Sequence, residues 1–299
     1  MRKEKILVTG ANGQIGSVLT KALRKIHGSD SVLATDIRSP QSEDHLFATL
    51  DILDPQRLAQ LIDQYQITQI YHLAAILSAK GEQNPLRTWR VNMDGLFNVL
   101  EVAREKKIDK IFFPSSIAVF GVETPNLNTP QFSVLHPATV YGISKAAAEN
   151  WCQYYHQHYQ LDIRSLRYPG IIGHQSMAGG GTTDYAVDIF HSAVQNQAFV
   201  CFLAAHTRLP MIYMSDAIRA TLELMEAPQE QISIRTSYNL HAMDFTPAEI
   251  AQEIQKHLPD FHVSYQPDQR QAIANSWPAS IDDQVARKDW NWEEEYDLA

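Results

Sequence analysis

Three glycines, each three residues from the next, sit where a strand-like run gives way to a helical one. Residues 5–8 are apolar enough for a buried strand and lead into Thr9-Gly10-Ala11-Asn12-Gly13-Gln14-Ile15-Gly16. From Ile15 onward Val18, Leu19, Ala22, Leu23 and Ile26 recur at helical spacing until Gly28. A strand that turns into a helix through Gly10, Gly13 and Gly16 can bring bare backbone N–H groups and a helix N-terminus against a pyrophosphate. The general dinucleotide fingerprint is GxGxxG, and this chain carries the GxxGxxG variant.

The same alternation continues to about residue 170. Strand patterns at 32–35, 47–50, 70–73, 110–113 and 163–166 are separated by helical patterns near 54–65, 87–106 and 141–159. Asp54-Pro55 has the form of an N-cap followed by proline at the first helical position. Strands alternating with helices specify an α/β fold, here a Rossmann-type doubly wound parallel sheet. After Tyr168 the pattern loosens into the glycine-rich stretch 169–184. A helix follows, then short strands near 199–202, 211–213 and 238–240, and a capping box at Thr246-Pro247-Ala248-Glu249. Trp277, Trp290 and Trp292 lie in a polar tail that should pack onto the rest. No repeat or low-complexity linker divides the chain. The expected organisation is an NAD-binding Rossmann domain over 1–170 and a smaller C-terminal substrate-binding lobe over 171–299, packed as one compact unit.

A net charge of −9 disfavours partners with phosphate backbones, so neither nucleic acid nor an anionic membrane is expected. No apolar run reaches the ~18 residues of a membrane span. The charged start Met1-Arg2-Lys3-Glu4-Lys5 passes straight into the first strand without the apolar core of a signal peptide, so the expected location is cytoplasmic. Cys152 and Cys201 form neither a CxxC pair nor a metal-ligand cluster and read as buried thiols.

Asp36 ends the second strand, 20 residues beyond Gly16, where a carboxylate accepts hydrogen bonds from ribose hydroxyls and repels a 2′-phosphate. It points to NAD rather than NADP, although Arg38 nearby is of the type that receives such a phosphate. Asp51, ending the third strand, can accept from the adenine amine. In Tyr141-Gly142-Ile143-Ser144-Lys145 the i, i+4 spacing puts Tyr141 and Lys145 on one helix face. A tyrosine with a pKa of about 10 is a poor base at neutral pH; an adjacent ammonium favours its phenolate. Ser116 closes the fifth strand, facing the ligand crevice of an open α/β sheet, where its hydroxyl can donate to an alkoxide. The 12 histidines show no HExxH or HxH spacing, so no metal site is expected, and there is no GxSxG elbow of a hydrolase.

Together these motifs resemble the extended short-chain dehydrogenase/reductase family, which includes sugar-nucleotide epimerases and dehydratases. The resemblance spans nearly the whole chain. It is carried further by Leu77-Ser78-Ala79, Pro114-Ser115-Ser116-Ile117-Ala118-Val119-Phe120-Gly121 and Arg167-Tyr168-Pro169-Gly170-Ile171-Ile172-Gly173. Gly179-Gly180-Gly181-Thr182-Thr183-Asp184-Tyr185-Ala186 and the tail Ser276-Trp277-Pro278-Ala279-Ser280-Ile281-Asp282-Asp283 resemble the branch that oxidises L-threonine. That resemblance implies a catalytic Ser116, Tyr141 and Lys145, with Tyr141 taking the substrate proton and Lys145 also bonding the nicotinamide ribose. It implies cofactor contacts from Gln14, Ile15, Ile52, Leu73, Ala74, Ala75, Asn92, Tyr168 and Ile171. Ser78 and Thr182 would hold the amino acid, aided by the backbone around Gly180, and Trp277 would close the pocket. It also implies a homodimer built on the helices at 87–106 and 141–159. Two other readings stay open at this point. A sugar-nucleotide epimerase needs cationic diphosphate contacts, and the arginines beyond Tyr168 (208, 219, 235, 270 and 287) show no clear pairing in the sequence. A catalytically silent NAD sensor would not need Ser116, Tyr141 and Lys145 intact.

Overall fold

The computed structural model describes residues 4–39, 46–175 and 179–299; the start Met1-Arg2-Lys3 and three residues of the 169–184 stretch lie outside the described residues. The first half runs β1 (Ile6–Thr9), α1 (Gln14–His27), β2 (Val32–Asp36), β3 (Phe47–Thr49), α2 (Pro55–Tyr65) and β4 (Gln69–His72). Two short helices, α3 (Ser78–Gly81) and α4 (Pro85–Trp89), precede α5 (Gly95–Lys106), β5 (Lys110–Ser116), α6 (Val140–Tyr159) and β6 (Ile163–Tyr168). The second half contains β7 (Gly170–Ile172), α7 (Tyr185–Val194), β8 (Phe199–Cys201), β9 (Leu209–Tyr213), α8 (Met214–Glu226) and β10 (Tyr238–Asn239). It ends with β11 (Met243–Phe245), α9 (Pro247–His257), β12 (Val263–Tyr265), α10 (Arg270–Ala274) and α11 (Gln284–Trp290).

Seven strands form one sheet in the order β10-β6-β5-β4-β1-β2-β3, with every neighbouring pair parallel. The chain leaves β1 toward β2 and β3, then returns to place β4 on β1's other side. That reversal opens a crevice beyond the carboxyl ends of β1 and β4, where ligands bind in open α/β sheets. Both faces of the sheet are buried. Ile6 and Val8 join the core cluster containing α1 and α8, while Leu7 between them joins the opposite cluster containing α2, α5 and α6. Side chains in a strand point alternately to opposite faces, so a strand covered on both sides has to be apolar throughout.

Local signals account for most helix ends. Gly28 at φ +86° terminates α1. Asp54 Oδ1 accepts from Arg57 N at 2.9 Å ahead of Pro55. The Thr246–Glu249 capping box is present. The helix expected over 87–106 is present and runs without a gap from Pro85 to Lys106, but its turn at Arg90–Asp94 is π-helical. Its physical reason is visible in Asn92, whose Oδ1 accepts from Ile76 N at 2.8 Å and whose Nδ2 donates to Ile76 O at 3.1 Å. The widened turn lets this amide hold the chain that leaves β4, and such turns concentrate at functional sites.

The second half builds a smaller unit from the sheet β11-β9-β7, the pair β12-β8, α7 and α9, around a third core cluster. Trp277 packs there, while Trp290 and Trp292 are buried against the first cluster with Tyr238. The tail thus packs onto both units. β10, α8 and α11, all beyond residue 170, complete the large sheet and its flank. Buried Arg164 ties α8 down: Nη1 donates to the carbonyls of Leu224 and Ala227, both at 2.6 Å, and Nη2 pairs with Asp162 at 2.7 Å. These are carbonyls that a helix C-terminus leaves without partners. Among the described residues no helix is long and apolar enough to cross a membrane.

Candidate active site

At the end of β1 the backbone turns through Gly10 at φ +67°, where a Cβ would lie 2.8 Å from Ala74 N. At Gly16 a Cβ would lie 2.3 Å from Gly10 O. Only glycine at these two positions lets the turn, α1 and the chain after β4 approach as they do. α1 has Gly13 as its N-cap, with no side-chain cap hydrogen bond, and carries no acidic residue in its first turn. Its N–H groups and partial positive charge therefore remain available to an anion. Beside them Gln14 Nε2 is buried without a partner. A buried amide donor left unpaired costs about 1–3 kcal/mol, a cost that a bound acceptor removes. A naked helix N-terminus and an unpaired donor fit a dinucleotide phosphate.

Asp36 is buried at the end of β2. Its Oδ2 accepts from Asn12 N and its Oδ1 from Arg38 N, both at 3.1 Å, so the glycine turn itself orients the carboxylate. Arg38 Nε stands 3.7 Å away on a largely exposed side chain. Asp51 is exposed and turns back on its own chain, accepting from Leu53 N at 3.0 Å. Ile52 is buried.

A cavity of about 210 Å³ is lined by Gly13, Gln14, Ile15, Gly16, Leu73, Ala75, Ser78, Ser116, Tyr141, Lys145, Tyr168, Ile171, Thr182 and Trp277. These fourteen sequence-selected residues line one cavity. Gly10, Asp36, Asp51, Ile52, Ala74, Asn92 and Gly180 are not among its lining residues. Gly10 and Ala74 instead crowd each other behind it, and Asn92 acts from behind through Ile76.

Ser116, Tyr141 and Lys145 come from two elements. Ser116 ends β5, and its Oγ accepts from Ala118 N at 3.2 Å, which turns the hydroxyl out of the strand. Tyr141 and Lys145 lie on α6, whose start is fixed by Thr139 Oγ1 accepting from Gly142 N at 3.0 Å. Lys145 Nζ donates to Pro114 O at 2.6 Å and lies 4.3 Å from the centre of the Phe113 ring. Burial pushes the Tyr141 phenol up to about 12, with the Ser116 hydroxyl pulling partly against it. Burial pulls the Lys145 ammonium down to about 7, opposed in part by Cys152 and Glu149. The expectation that the ammonium brings Tyr141 toward neutrality is therefore not met in the bare site. Lys145 spends its charge on the Pro114 carbonyl and the Phe113 face, 5.6 Å from the Tyr141 ring centre, and desolvation dominates both groups.

The far end of the cavity brings together residues 104 apart in sequence: Ser78 Oγ and Thr182 Oγ1 are 3.4 Å apart, both buried. The glycine stretch behaves differently from expectation. Gly180 N and Gly181 N donate to Asp184 Oδ2 at 2.7 and 2.6 Å, so these N–H groups are already engaged. Asp184 holds the loop through these two bonds, and among the described residues it is the only carboxylate lining the cavity. Burial raises its carboxyl above the usual range, against the two N–H donors. Sequence reading passed over Asp184; its signal was an acid directly after a Gly-Gly-Gly-Thr-Thr run and directly before a helix.

Residues 6–240 match the model of the NAD dependent epimerase/dehydratase family. The chain belongs to this family. NAD is accordingly its cofactor class, in keeping with the turn at Gly10–Gly16 and the buried Asp36. Family members resembling this chain include a bovine (Bos taurus) protein named L-threonine 3-dehydrogenase, mitochondrial, which is 49% identical over 99% of this chain and 80% of its own length. The structure of the GalE-like L-threonine dehydrogenase from Cupriavidus necator in holo form is 52% identical, with a TM-score of 0.97 over 98% of this chain and 96% of that one. A monomeric L-threonine 3-dehydrogenase from a metagenome is 46% identical, with a TM-score of 0.96 over 98% and 94% of the two chains.

Proposed function

We propose that this chain oxidises the β-hydroxyl of L-threonine with NAD, yielding 2-amino-3-oxobutyrate, NADH and a proton. The observation that carries the reading is the composition of the cavity beyond Tyr141. A zwitterionic amino acid needs hydroxyl donors for its carboxylate, an acceptor for its ammonium and a base at its alcohol. Ser78 and Thr182 supply the first, Asp184 the second and Tyr141 the third, all lining one cavity. The relatives named as L-threonine dehydrogenases support the same reading.

In this reading Gly13, Gln14 and Gly16 hold the dinucleotide phosphates, Asp36 the adenosine ribose, and Leu73, Ala75 and Ile171 flank the nicotinamide end. NAD supplies the hydride acceptor when bound. Tyr141 Oη takes the proton from the threonine hydroxyl, and Ser116 Oγ donates to that oxygen as charge builds on it. Lys145 favours the phenolate and bonds the nicotinamide ribose. Trp277 closes the far wall. The division of labour is between a cofactor half, 1–170, which also brings Ser78, Ser116 and Tyr141 to the substrate, and a mainly substrate-binding lobe, 171–299, which adds Thr182, Asp184 and Trp277.

The epimerase reading is disfavoured by the arginines. Each of the five beyond Tyr168 already pairs with a carboxylate of the chain: Arg208 with Asp244, Arg219 with Asp216, Arg235 with Asp162, Arg270 with Asp268 and Arg287 with Asp283. None lines the cavity. NADH formation across L-threonine, its stereoisomers, L-serine and UDP-sugars tests the proposal. L-threonine is expected to be the best substrate. L-serine, which lacks the methyl group, should be poorer by roughly tenfold or more. Interconversion of UDP-sugars with L-threonine untouched would overturn the reading in favour of the epimerase.

Cofactor choice follows from Asp36, whose buried carboxylate meets the position a 2′-phosphate would take. kcat/KM should be about tenfold or more higher with NAD than with NADP. Asp36→Ala should weaken NAD and narrow that gap. Equal use of both cofactors by the unmodified chain would mean that Arg38 sets the preference.

Cytoplasmic location and a homodimer belong to the same proposal. The two thiols are unpaired and buried, which suits a reducing compartment. Leu86, Trp89, Ile143, Trp151, Tyr154 and Tyr159 are exposed on the helices from α4 to α6 and supply an apolar face for a second copy. Gel filtration decides between this and the monomeric state named for the metagenome relative.

A further inference from the structure

Beneath the reactive groups lies a buried ion pair that the mechanism above leaves unused. Tyr141, Lys145 and Glu149 follow one another at intervals of four on α6, so all three share a helix face. Glu149 is 0% and Arg167 4% exposed. Arg167 Nε donates to Glu149 Oε1 at 2.9 Å and Nη2 to Oε2 at 2.7 Å, a two-pronged clamp. Ser115 Oγ donates to the same Oε1 at 2.6 Å. Ser115 and Arg167 are cross-strand partners on β5 and β6, and their chain neighbours Ser116 and Tyr168 both line the cavity. Arg167 Nη1 continues the network to Gln131 O at 2.9 Å and Asn239 Oδ1 at 3.0 Å.

We propose that Glu149, clamped by Arg167, is a positioning residue that tethers the Ser115–Ser116 strand end to the reactive face of α6 and supplies the negative charge that keeps Lys145 an ammonium. The groups that face Lys145 explain why the charge has to come from here. His72 on β4 is buried, bonded through Nδ1 to Thr9 Oγ1 at 2.9 Å, and held neutral with its pKa lowered to about 3. Phe113 and Pro114 on β5 offer a ring face and a carbonyl. On α6 Tyr141 and Cys152 are both raised by burial to about 12 and stay neutral. Glu149 is the formal negative charge among the described groups acting on Lys145, and it opposes the desolvation that strips the lysine's proton. Its own burial is tolerated because Arg167 and Ser115 occupy its lone pairs.

The inference rests on the dehydrogenase reading, and pH–rate profiles of kcat test it. Glu149→Gln keeps the shape and one acceptor oxygen but removes the charge and replaces the other acceptor with an NH2 donor. Losing a nearby negative charge makes every neighbouring acid group release its proton more readily. The acid limb should therefore move to lower pH by about one unit. The plateau should also fall about tenfold, because the neutral-lysine, neutral-tyrosine form gains at the expense of the ammonium–phenolate form. Glu149→Asp retains the charge, so its limb should stay where the unmodified enzyme has it even if its kcat drops. Ser115→Ala cuts the tether and leaves the Glu149 charge in place: kcat should fall several-fold, with the limb staying where the unmodified enzyme has it. A folded Glu149→Gln enzyme whose limb does not move would overturn the electrostatic role. Unchanged kcat in Ser115→Ala would overturn the tether, and that variant decides the tether whether or not the Glu149 variants fold. If the unmodified chain leaves L-threonine untouched, the dehydrogenase reading fails first. The same shift is then sought in the tyrosinate absorbance titration of the Glu149→Gln protein, with Tyr141→Phe as the blank.

Discussion

Tyr141→Phe should lower kcat with L-threonine by about 10³-fold while leaving NAD affinity within a few-fold of normal. A positioned general base contributes roughly 10²–10⁴-fold. Tyr141 Oη lies in the cavity beside Ser116, and no other lining residue combines a dissociable proton with that position. Phenylalanine keeps the ring, so its packing in the third core cluster survives. In the unmodified enzyme the rate should rise with pH as the phenolate forms, since burial holds the phenol high in the bare site. That rise should vanish from whatever activity Tyr141→Phe retains. Stopped-flow NADH formation against pH, with NAD binding followed by calorimetry, reads both quantities. Near-normal kcat in the variant would remove Tyr141 from the mechanism.

Asp184→Asn should cut kcat/KM for L-threonine on the order of 100-fold, chiefly through KM, with NAD affinity unchanged. A hydrogen bond to a charged group contributes about 1.5–3 kcal/mol, and the ammonium would also be left without its counter-charge. Asparagine keeps an oxygen for Gly180 N and Gly181 N, so the loop's anchor at 2.7 and 2.6 Å is spared while the charge is removed. The sign of the pH effect is fixed by burial, which raises the Asp184 carboxyl; Asp188 raises it further, and Arg270 and the two N–H groups oppose. As pH falls the carboxyl should therefore take up its proton earlier than an ordinary aspartate, and KM for L-threonine should climb. That climb should be missing in Asp184→Asn. Inhibition by (R)-3-hydroxybutanoate, which lacks the amino group, is the control and should be little affected by the substitution. A variant that keeps its KM for L-threonine would show that the ammonium is held elsewhere.

The contrast between these two residues marks how far the sequence reached. Tyr141 and Lys145 were legible because four residues of helix always put two side chains on one face, whatever the rest of the chain does. Gly10, Gly13 and Gly16 were legible because a strand-to-helix turn at that density of glycine has few physical uses, and Asp54, Thr246 and Gly28 because caps are local chemistry. Asp184 was not legible, because its role depends on which way two N–H groups point. The π-helical turn between α4 and α5 escaped periodicity because the contact that goes with it, Asn92 to Ile76, spans 16 residues.

The sequence by itself determined the parallel α/β sheet, the glycine turn against its helix, the acid at the end of the second strand and the Ser116, Tyr141 and Lys145 set. Each is a matter of spacing within a single element or between neighbouring ones. Tertiary structure alone decided that Ser78 meets Thr182, that Asp184 rather than Gly180 faces the cavity, and that Glu149 reaches Ser115 and Arg167. It also decided the balance of charge at Tyr141 and Lys145. A side chain's desolvation depends on everything packed around it, and the groups that bury Tyr141 and Lys145 come from strands and loops far apart in the chain.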